Sequence, residues 1–235
     1  MKTVLDAKDL VKTYHKGKSM LCAVDHVSLT IHQGECLGLV GESGSGKSTL
    51  ARMITSLVES DQGTILLNGK VHMVFQKPQD SFDPRRTLGD GIMEVFRNHG
   101  VSKADAKQQM NKLLSIVELQ SEMTSRYPHQ VSGGQCQRAA IARAIAMHPD
   151  LVICDEATSA LDVTVQAQII RLLKKLQKES GISYLFISHD LALVQAMCSR
   201  VAVMHKGKIV EQGSVSKIIK HPRSDYTRTL INSAI

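Results

Sequence analysis

The stretch Gly41-Glu42-Ser43-Gly44-Ser45-Gly46-Lys47-Ser48-Thr49 follows the pattern G-x-x-x-x-G-K-[ST] of a phosphate-binding loop. Glycines let such a loop curl until several backbone N–H groups point at one anion. Lys47 can reach the β- and γ-phosphates, and Ser48 offers a hydroxyl to Mg²⁺. Thr49 continues a helix whose positive N-terminal end faces the phosphates. The stretch predicts a phosphate site whose loop is built from Gly41, Ser43, Gly44 and Gly46.

The segments on either side of the loop support this interpretation. Cys36–Val40 is a short apolar run, which predicts a buried strand. After the loop, apolar residues recur at helical spacing: Leu50, Ala51, Met53, Ile54 and Leu57. Strand, loop and helix in this order are the context that a phosphate-binding loop requires.

Length and composition limit the class of protein. The chain has 235 residues, enough for one large core. No run approaches the roughly 18 to 20 apolar residues of a transmembrane helix, and the N-terminal residues do not have the pattern of a secretory signal. The five cysteines lack CxxC spacing. We therefore expect reduced thiols in a cytosolic protein, and no zinc site.

The chain is basic, with a formal net charge of +7 and its Lys and Arg residues scattered. This favours a solvated surface first, and a position beside the anionic cytoplasmic leaflet second. Four Tyr, four Phe and no Trp leave few rings to stack on bases. We therefore expect no nucleic-acid partner.

Four apolar runs each end in residues of chemical use: Cys36–Val40 in the phosphate-binding loop, 71–75 in Gln76, 151–154 in Asp155 and Glu156, and 183–187 in Ser188 and His189. Continuous apolar runs separated by helical stretches indicate a parallel sheet covered on both faces. In such sheets, ligands bind beyond the carboxyl ends of the strands. We therefore expect these side chains to share one site.

Other segments indicate two further layers. A capping pattern at Ser102 and Asp105 precedes a helical run, and a second helix is expected from about Gln135 to Met147. We therefore predict an inserted helical subdomain at 77–147. Alternation and Gly turns in 4–31 and 63–68 predict an antiparallel β layer. Residues 1–76 and 148–235 are expected to form the catalytic core with this β subdomain, so the fold class is α/β with a mainly parallel sheet.

The carboxylates after the third run carry the predicted chemistry. An apolar strand ending in Asp is the Walker B arrangement, in which Asp155 holds Mg²⁺ mostly through water. Glu156 orients or deprotonates the water that attacks the γ-phosphate. Gln76 senses Mg²⁺ or that water, and His189 contacts the γ-phosphate. Taken alone, a strand-end His is more often a structural hydrogen-bonding residue, which is the alternative for His189. The predicted catalytic residues are Glu156, His189 and Gln76, and the predicted metal ligands are Ser48, Gln76 and Asp155.

Val131-Ser132-Gly133-Gly134-Gln135 is a second anion-binding candidate. Ser and two Gly before a helix present backbone N–H groups to an anion, here without a Lys. One chain thus carries two phosphate-binding elements and one Walker B pair. A dimer whose nucleotides lie between one chain's loop and its partner's Ser-Gly-Gly element accounts for both. An ordinary N-cap with glycines is the alternative.

Taken together, these motifs make the chain resemble the nucleotide-binding subunits of ABC transporters over essentially its whole length. The 131–135 stretch resembles the LSGGQ signature, with Val in place of Leu, and 159–162 resembles the D-loop. By the same resemblance, Gln76 is the Q-loop glutamine and His189 the switch histidine. Tyr14 lies where the family places an adenine-stacking aromatic, a strand-edge aromatic being the alternative. The resemblance implies the P-loop NTPase fold of the ABC type, with ATP and Mg²⁺ as cofactors.

A subgroup is also indicated. Residues 75–87 resemble the FQ-x-P-x-x-S-x-N-P-R-x-T segment of peptide and nickel importer ATPases, with Asp83 in place of Asn. His221-Pro222, then Tyr226-Thr227 and Leu230, resemble that subgroup's HPYTxxLL tail with 223–225 inserted. The link 68–71 is short for the subgroup. The C-terminal extension of longer members is not seen. These departures suggest a minimal variant and leave the solute open.

The resemblance implies an ATPase subunit at the cytoplasmic face of the cell membrane that powers uptake of peptides, nickel or a metal chelate. Its implied partners are transmembrane permease subunits, a second ATPase subunit, identical or paralogous, and, through the complex, an extracytoplasmic solute-binding protein. The alternatives are a soluble ABC ATPase acting on nucleic acid or ribosomes, and a regulatory module that does not hydrolyse ATP. Long coiled-coil insertions and a second ATPase half, typical of the former, do not occur in this sequence.

The permease is expected to dock on residues 77 to about 95, because the Q-loop joins the core to the helical subdomain. A groove is predicted there, lined by Phe82, Leu88, Ile92 and Val95, with Arg85 and Arg86 at its rim. Internal packing of these apolar residues is the alternative.

Overall fold

The structure is a computed structural model that describes residues 2–17, 19–159 and 161–234. Its strands are β1 (Thr3–Lys16), β2 (Ser19–His32), β3 (Cys36–Val40), β4 (Gln62–Leu67), β5 (Val71–Val74), β6 (Leu151–Asp155), β7 (Ser183–Ile187), β8 (Arg200–His205) and β9 (Lys208–Ser214). Its α-helices are α1 (Lys47–Ile54), α2 (Leu88–Asn98), α3 (Lys103–Ile116), α4 (Gly133–Ile145), α5 (Val163–Ser180), α6 (Leu191–Met197), α7 (Val215–Lys220) and α8 (Asp225–Ala234). Short 3-10 helices cover Pro78–Ser81, Ser121–Ser125 and Pro128–Gln130.

The larger sheet has the strand order β5-β6-β7-β3-β8-β9. The strands from β5 to β8 pair in parallel, and β9 pairs antiparallel with β8. Every residue of β3, β6 and β7 is buried, as expected of parallel strands covered on both faces. The predicted mainly parallel α/β sheet is confirmed. β8 and β9 were not among the four predicted runs. β8 was missed although it is a buried apolar run of the same kind, whereas β9 alternates between half-buried and exposed positions and so gives no continuous apolar run.

The smaller sheet has the order β2-β1-β4, and both of its strand pairs are antiparallel. This agrees with the antiparallel layer that the sequence predicts. Buried residues of β1 and β2, such as Leu5 and Leu29, join Leu50 of α1 and Leu37 of β3 in one apolar cluster. The small sheet and α1 therefore cover one face of the large sheet.

The opposite face carries the other helices. Residues of α2, α3, α4 and α5 form a second apolar cluster with the strands, including Phe96, Leu113, Ile141 and Leu173. Ser102 caps α3 by accepting the Asp105 N–H, as its pattern predicts. α4 begins at Gly133, two residues before the expected start, and ends at Ile145. The helical insertion shares this cluster with the strands, and the boundaries 77 and 147 remain a prediction.

Two elements end earlier than their apolar runs. α1 stops at Ile54, because Ser56 adopts a positive φ of +58°, and Leu57 is therefore 59% exposed. Similarly, β5 ends at Val74, so Phe75 lies outside the strand. Apolarity alone does not mark a terminus, because a left-handed residue can end a helix before its apolar pattern ends.

The predicted docking groove is wrong in its lining. Leu88 and Ile92 are fully buried on one face of α2, Phe82 is 8% exposed, and the half-buried Val95 packs against the same cluster. Leu88, Ile92 and Val95 follow one another by about one helical turn and therefore share a face of α2. That face lies against α3 and α4, which α2 contacts. The apolar residues therefore pack inside the protein, which is the alternative given above, and do not line a groove.

The thiols are free, and in the described part of the chain no helix is both long and apolar enough to cross a membrane. Cys36 Sγ lies 3.0 Å from Cys198 Sγ. Burial raises the pKa of Cys154 to about 12. That thiol therefore stays protonated at neutral pH and behaves as a small apolar side chain.

Candidate functional site

The phosphate-binding loop follows β3, a central strand of the large sheet, and its glycines are sterically required. Gly41 has a φ of +154°, and a Cβ there would lie 2.1 Å from the Met204 carbonyl oxygen. Gly46 has a φ of +106°, and its Cβ would lie 2.0 Å from the Ala23 carbonyl oxygen. Only glycine tolerates both the angle and the close approach. The loop is thereby held against β8 and β2.

Lys47 is buried at the centre of the loop, with 5% of its surface exposed. Its Nζ donates to the carbonyl oxygens of Gly41 and Glu42, both at 2.8 Å. Burial lowers the pKa of Lys47, while the negative charges of Glu156, Asp155 and Glu42 oppose that shift. An ammonium has three N–H donors, and the third contact of Lys47 Nζ is a long one of 3.5 Å to Ser45 Oγ. The N–H of that long contact is the one that can serve a phosphate oxygen.

Ser48 and Asp155 bring two oxygens together beside the loop. Ser48 Oγ, in the first turn of α1, donates to Asp155 Oδ1 at 3.0 Å. Burial raises the pKa of Asp155, the Ser48 hydrogen bond opposes that shift, and the charge of Glu156 adds to it. A hydroxyl and a carboxylate are oxygen ligands of the kind that Mg²⁺ prefers. The described residues contain no cluster of three or more His, Cys, Asp or Glu placed to hold a metal. Mg²⁺ is commonly held by one or two protein oxygens together with phosphate and water oxygens, and Ser48 with Asp155 fits that kind of site.

Glu156 is held in an unusual conformation directly after β6. Its φ is +49°, its N–H donates to the Ile187 carbonyl at 3.0 Å, and its own carbonyl accepts the Ser159 hydroxyl at 3.0 Å. Positive φ is uncommon for a residue with a side chain and concentrates at functional sites. The hydrogen bonds across the turn aim the carboxylate away from the strand.

Two other predicted residues meet this carboxylate. Gln76 Nε2 donates to Glu156 Oε2 at 2.9 Å. His189 Nδ1 lies 3.6 Å from the same oxygen, in a loop fixed where Asp190 caps α6. The three residues predicted as catalytic thus come together at the carboxyl ends of β5, β6 and β7.

A cavity of about 310 Å³ connects these groups. Nine of its lining residues are among the predicted site residues: Tyr14, Ser43, Gly44, Gly46, Lys47, Ser48, Thr49, Gln76 and Glu156. Three other predicted residues adjoin the cavity without lining it. Gly41 faces the Met204 carbonyl at the start of the loop, Asp155 is hydrogen-bonded to Ser48, and His189 lies 3.6 Å from Glu156.

The sequence analysis missed Leu21 and Ala23, which also line the cavity. Leu21 pairs with Tyr14 across the β1–β2 hairpin, so the hairpin register is the signal that finds it. The Tyr14 ring is 39% exposed and has Lys12 Nζ 5.8 Å from its centroid. The ring and Leu21 form an apolar wall at the mouth of the cavity.

The second anion-binding candidate lies elsewhere. Ser132 Oγ accepts the Gln135 N–H at 3.2 Å, and Gln135 Oε1 accepts the Ser132 N–H at 2.9 Å, a capping box at the start of α4. Ser132 and Gly133 are exposed. Residues 132–135 are not among the cavity's described lining residues.

The neighbouring D-loop prediction is only partly visible, because Ala160 lies outside the described residues. Asp162 caps α5 by accepting the Val165 N–H at 2.9 Å. A Cβ on Gly134 would lie 2.7 Å from Val165 Cγ1. The signature element therefore packs closely on the start of α5.

Comparison with known proteins identifies the family. The profile of the ABC transporter family matches residues 24–159, which run from β2 past the loop and the signature element to the turn after Glu156. The chain belongs to the ABC transporter family. It is 42% identical over 251 residues to the oligopeptide transport ATP-binding protein OppF of Streptococcus mutans, an alignment that covers 99% of this chain and 82% of that protein.

Two further similarities extend this result. The chain is 48% identical over 226 residues to the glutathione import ATP-binding protein GsiA of Salmonella choleraesuis, covering 89% of this chain and 36% of that protein. It superposes with a TM-score of 0.82 and 28% identity on the dimeric, post-hydrolysis ATP-binding cassette MJ0796 bound to ADP and Pi, covering 90% of this chain and 98% of that one. The expected family and fold class are confirmed. The chain is an ATP-binding subunit of the ABC type, whose activity is ATP hydrolysis coupled to transport.

Proposed function

We propose that this chain is the ATP-hydrolysing subunit of a peptide importer. The observation that carries the proposal is the Glu156 carboxylate, contacted by Gln76 and His189 beside a phosphate-binding cavity. The similar proteins are named for oligopeptide transport and glutathione import, and glutathione is itself a small peptide. Nickel or a metal chelate is the alternative solute, which is supported by the resemblance of residues 75–87 and of the 221–230 tail to the peptide and nickel importer subgroup.

The site residues divide the reaction between them. The loop N–H groups and Lys47 bind the phosphates of ATP. Ser48, Gln76 and Asp155 would hold Mg²⁺, which neutralises phosphate charge when bound. Tyr14 stacks on the adenine.

Glu156 takes the proton of the attacking water. Its Oε2 contacts Gln76 and His189, so we assign Oε1 to the water. These two contacts orient the carboxylate before the reaction, and His189 also reaches the γ-phosphate. Such positioning of the base and the water is the protein's main contribution to phosphoryl transfer.

A second subunit completes the site in this proposal. Ser132, Gly133, Gly134 and Gln135 bind the γ-phosphate of the nucleotide held by the partner subunit, which is an identical or paralogous chain. The exposure of Ser132 and the dimeric state of the MJ0796 cassette support this arrangement. ATP closes the dimer and hydrolysis reopens it.

Permease subunits dock, in this proposal, on the exposed polar part of residues 77–86. Lys77, Gln79 and Arg85 are exposed there. Asp83, where the subgroup has Asn, accepts the Arg85 N–H at 2.9 Å and so fixes the turn. The complex would lie at the cytoplasmic face of the membrane and receive solute from an extracytoplasmic binding protein.

Solute uptake by cells that lack this chain tests the proposal. Uptake of a radiolabelled tripeptide and of nickel ions is measured in the deletion strain, and after return of the wild-type, Glu156→Gln or Glu179→Gln chain. Glu179→Gln is the matched control, since it makes the same change at an exposed position of α5. We expect peptide uptake to be restored by the wild type and by Glu179→Gln, and not by Glu156→Gln. If the deletion strain still takes up the peptide but no longer takes up nickel, the solute is nickel and not a peptide.

A further inference from the structure

The C-terminal helix contacts the phosphate-binding loop directly. Tyr226 Oη, in the first turn of α8, accepts a hydrogen bond from the Glu42 backbone N–H at 3.0 Å. The Tyr226 ring stacks on the imidazole of His205, with 3.8 Å between centroids and 27° between planes. His205 is the last residue of β8. The hydroxyl is therefore presented to the loop by a ring that the sheet supports.

The hydrogen bond falls on a peptide unit that Lys47 also holds. The Glu42 N–H and the Gly41 carbonyl belong to the same peptide bond, and Lys47 Nζ donates to that carbonyl at 2.8 Å. A peptide unit is planar, so fixing its N–H end restricts rotation of its C=O end. Tyr226 and Lys47 thus form hydrogen bonds to opposite ends of one rigid peptide unit.

The start of α8 is anchored as firmly as the loop. Glu211, on β9, accepts the backbone N–H groups of Arg223 and Ser224 at 2.9 and 3.0 Å. Thr227 is fully buried, and Ile231 is 6% exposed. The inserted residues 223–225 therefore form the helix entry that β9 holds, and Tyr226 follows directly. Hydrogen bonds therefore connect the edge strand β9, through the start of α8 and Tyr226, to the phosphate-binding loop.

The other side of the loop is braced by the same two strands. Ser45 accepts the Gly207 N–H at 3.0 Å, and Gly207 lies in the turn between β8 and β9. A Cβ on Gly41 would lie 2.1 Å from the Met204 carbonyl oxygen of β8, so the Gly41 backbone passes close to that strand. Backbone groups of β8 and of the β8–β9 turn therefore hold the loop at Gly41 and Ser45. By contrast, the N–H of the peptide between Gly41 and Glu42 donates to a side chain, that of Tyr226.

We propose that Tyr226 is a positioning residue for ATP binding, which acts through the 41–42 peptide on the Lys47 ammonium. The proposal rests on the ATP site described above. Loss of the hydroxyl frees the peptide to rotate, so the Gly41 carbonyl no longer fixes the ammonium where it meets the phosphates. Binding of ATP must then order both the peptide and the ammonium, which lowers the affinity for ATP.

Tyr226→Phe in the 235-residue chain is the direct test, since it removes the hydroxyl and keeps the stacked ring. We expect the KM for ATP to rise about three- to ten-fold, the effect of one hydrogen bond, with kcat changed less than about two-fold. Thermal unfolding of the nucleotide-free chain should shift little. His205→Ala, which removes the supporting ring, should raise KM in the same direction.

Tyr184→Phe is the matched control. It removes the hydroxyl of a buried tyrosine of β7 for which the described structure shows no hydrogen-bond partner. We expect its KM for ATP to equal that of the wild type. A similar rise in KM there would show that loss of any tyrosine hydroxyl perturbs the fold, and would overturn the assignment to Tyr226.

A double-mutant cycle tests the route through Lys47. Binding of a fluorescent ATP analogue is titrated for the wild type, Tyr226→Phe, Lys47→Ala and the double variant. If Tyr226 acts through Lys47, Tyr226→Phe adds no further loss of affinity to Lys47→Ala. Full additivity overturns the proposal, as does an unchanged KM in Tyr226→Phe, with or without a lowered melting temperature. Lys47-dependent ATP hydrolysis by the wild type would still stand in those cases, so the site and this inference fail separately.

Discussion

The two phosphate-binding elements of this chain differ in how complete they are. Around the loop, Ser48 meets Asp155 at 3.0 Å and Gln76 meets Glu156 at 2.9 Å, beside one cavity. At the start of α4, Ser132 and Gln135 bond to each other in a capping box and lie outside that cavity's lining. In the function proposed above, the first region is the assembled half of a hydrolytic site, and the second is a set of donors presented to a partner subunit. The difference between them is what two complementary halves of one shared site would show.

Glu156→Gln should have the largest effect on this comparison, because it disables the assembled half alone. We expect ATP hydrolysis to fall at least about 100-fold, the usual contribution of a general base. ATP binding should persist, since the amide keeps the shape and removes a negative charge near the γ-phosphate. Phosphate release and nucleotide binding measure the two properties. Near-normal turnover would remove Glu156 from the role of base.

Ser132→Arg and Lys47→Ala break one half each, and a mixed dimer tests whether the halves meet between chains. Each variant alone should be inactive. In a random mixture of equal amounts of two identical-chain variants, about a quarter of all sites combine an intact loop with an intact signature element. Nucleotide trapping in verified mixed dimers counts these sites. A mixed dimer without a working site would mean that the two halves do not form a shared site.

Substitutions of Tyr14 test the contact that the assembled half is proposed to make with the base of ATP. Tyr14→Ala should weaken ATP binding by roughly 1 to 3 kcal/mol, the range for base–aromatic stacking. Tyr14→Phe should be nearly silent, because the ring face makes the contact. Titration with ATP compares both variants. Equal losses would point instead to a hydrogen bond from the hydroxyl.

Asp155→Asn should give the smallest effect, an increase in the stability of the nucleotide-free chain at neutral pH. Burial raises the folded-state pKa of Asp155, so its ionised form costs stability once the pH exceeds the unfolded pKa of about 3.9. Asn removes that cost and keeps an oxygen for the Ser48 hydroxyl. We expect a higher melting temperature without Mg²⁺, with the gain vanishing as the pH falls below that unfolded pKa.

Asp83→Asn is the control for that stability experiment. The backbone and side-chain hydrogen bonds from Arg85 lower the pKa of exposed Asp83, so its ionised form is favoured by folding. The same substitution should therefore not raise the melting temperature at neutral pH. An equal rise in melting temperature at both positions would mean that the loss of a negative charge, and not the burial of Asp155, causes the effect.

The assembled half was predictable from sequence, because its residues sit at the ends of apolar runs and sheet topology brings strand ends together. Cys36–Val40 and Ser183–Ile187 form the strands expected of them. Leu88 and Ile92 show the limit of that reasoning, since an apolar helix face indicates burial without stating what covers it. Tyr226 shows another limit, because its contact with Glu42 joins residues 184 positions apart and follows from the fold alone.

The cavity wall formed by Tyr14, Leu21 and Ala23 has a consequence for nucleotide choice. It offers a ring face and two aliphatic side chains, on which any purine can rest, because every base has a flat face. If Tyr14 stacks on the base as proposed, selectivity is concentrated at the triphosphate, for which Lys47 and the loop present directional donors. Exchange of adenine for guanine would then change the binding free energy little, and the relative concentrations of ATP and GTP would decide which nucleotide is hydrolysed.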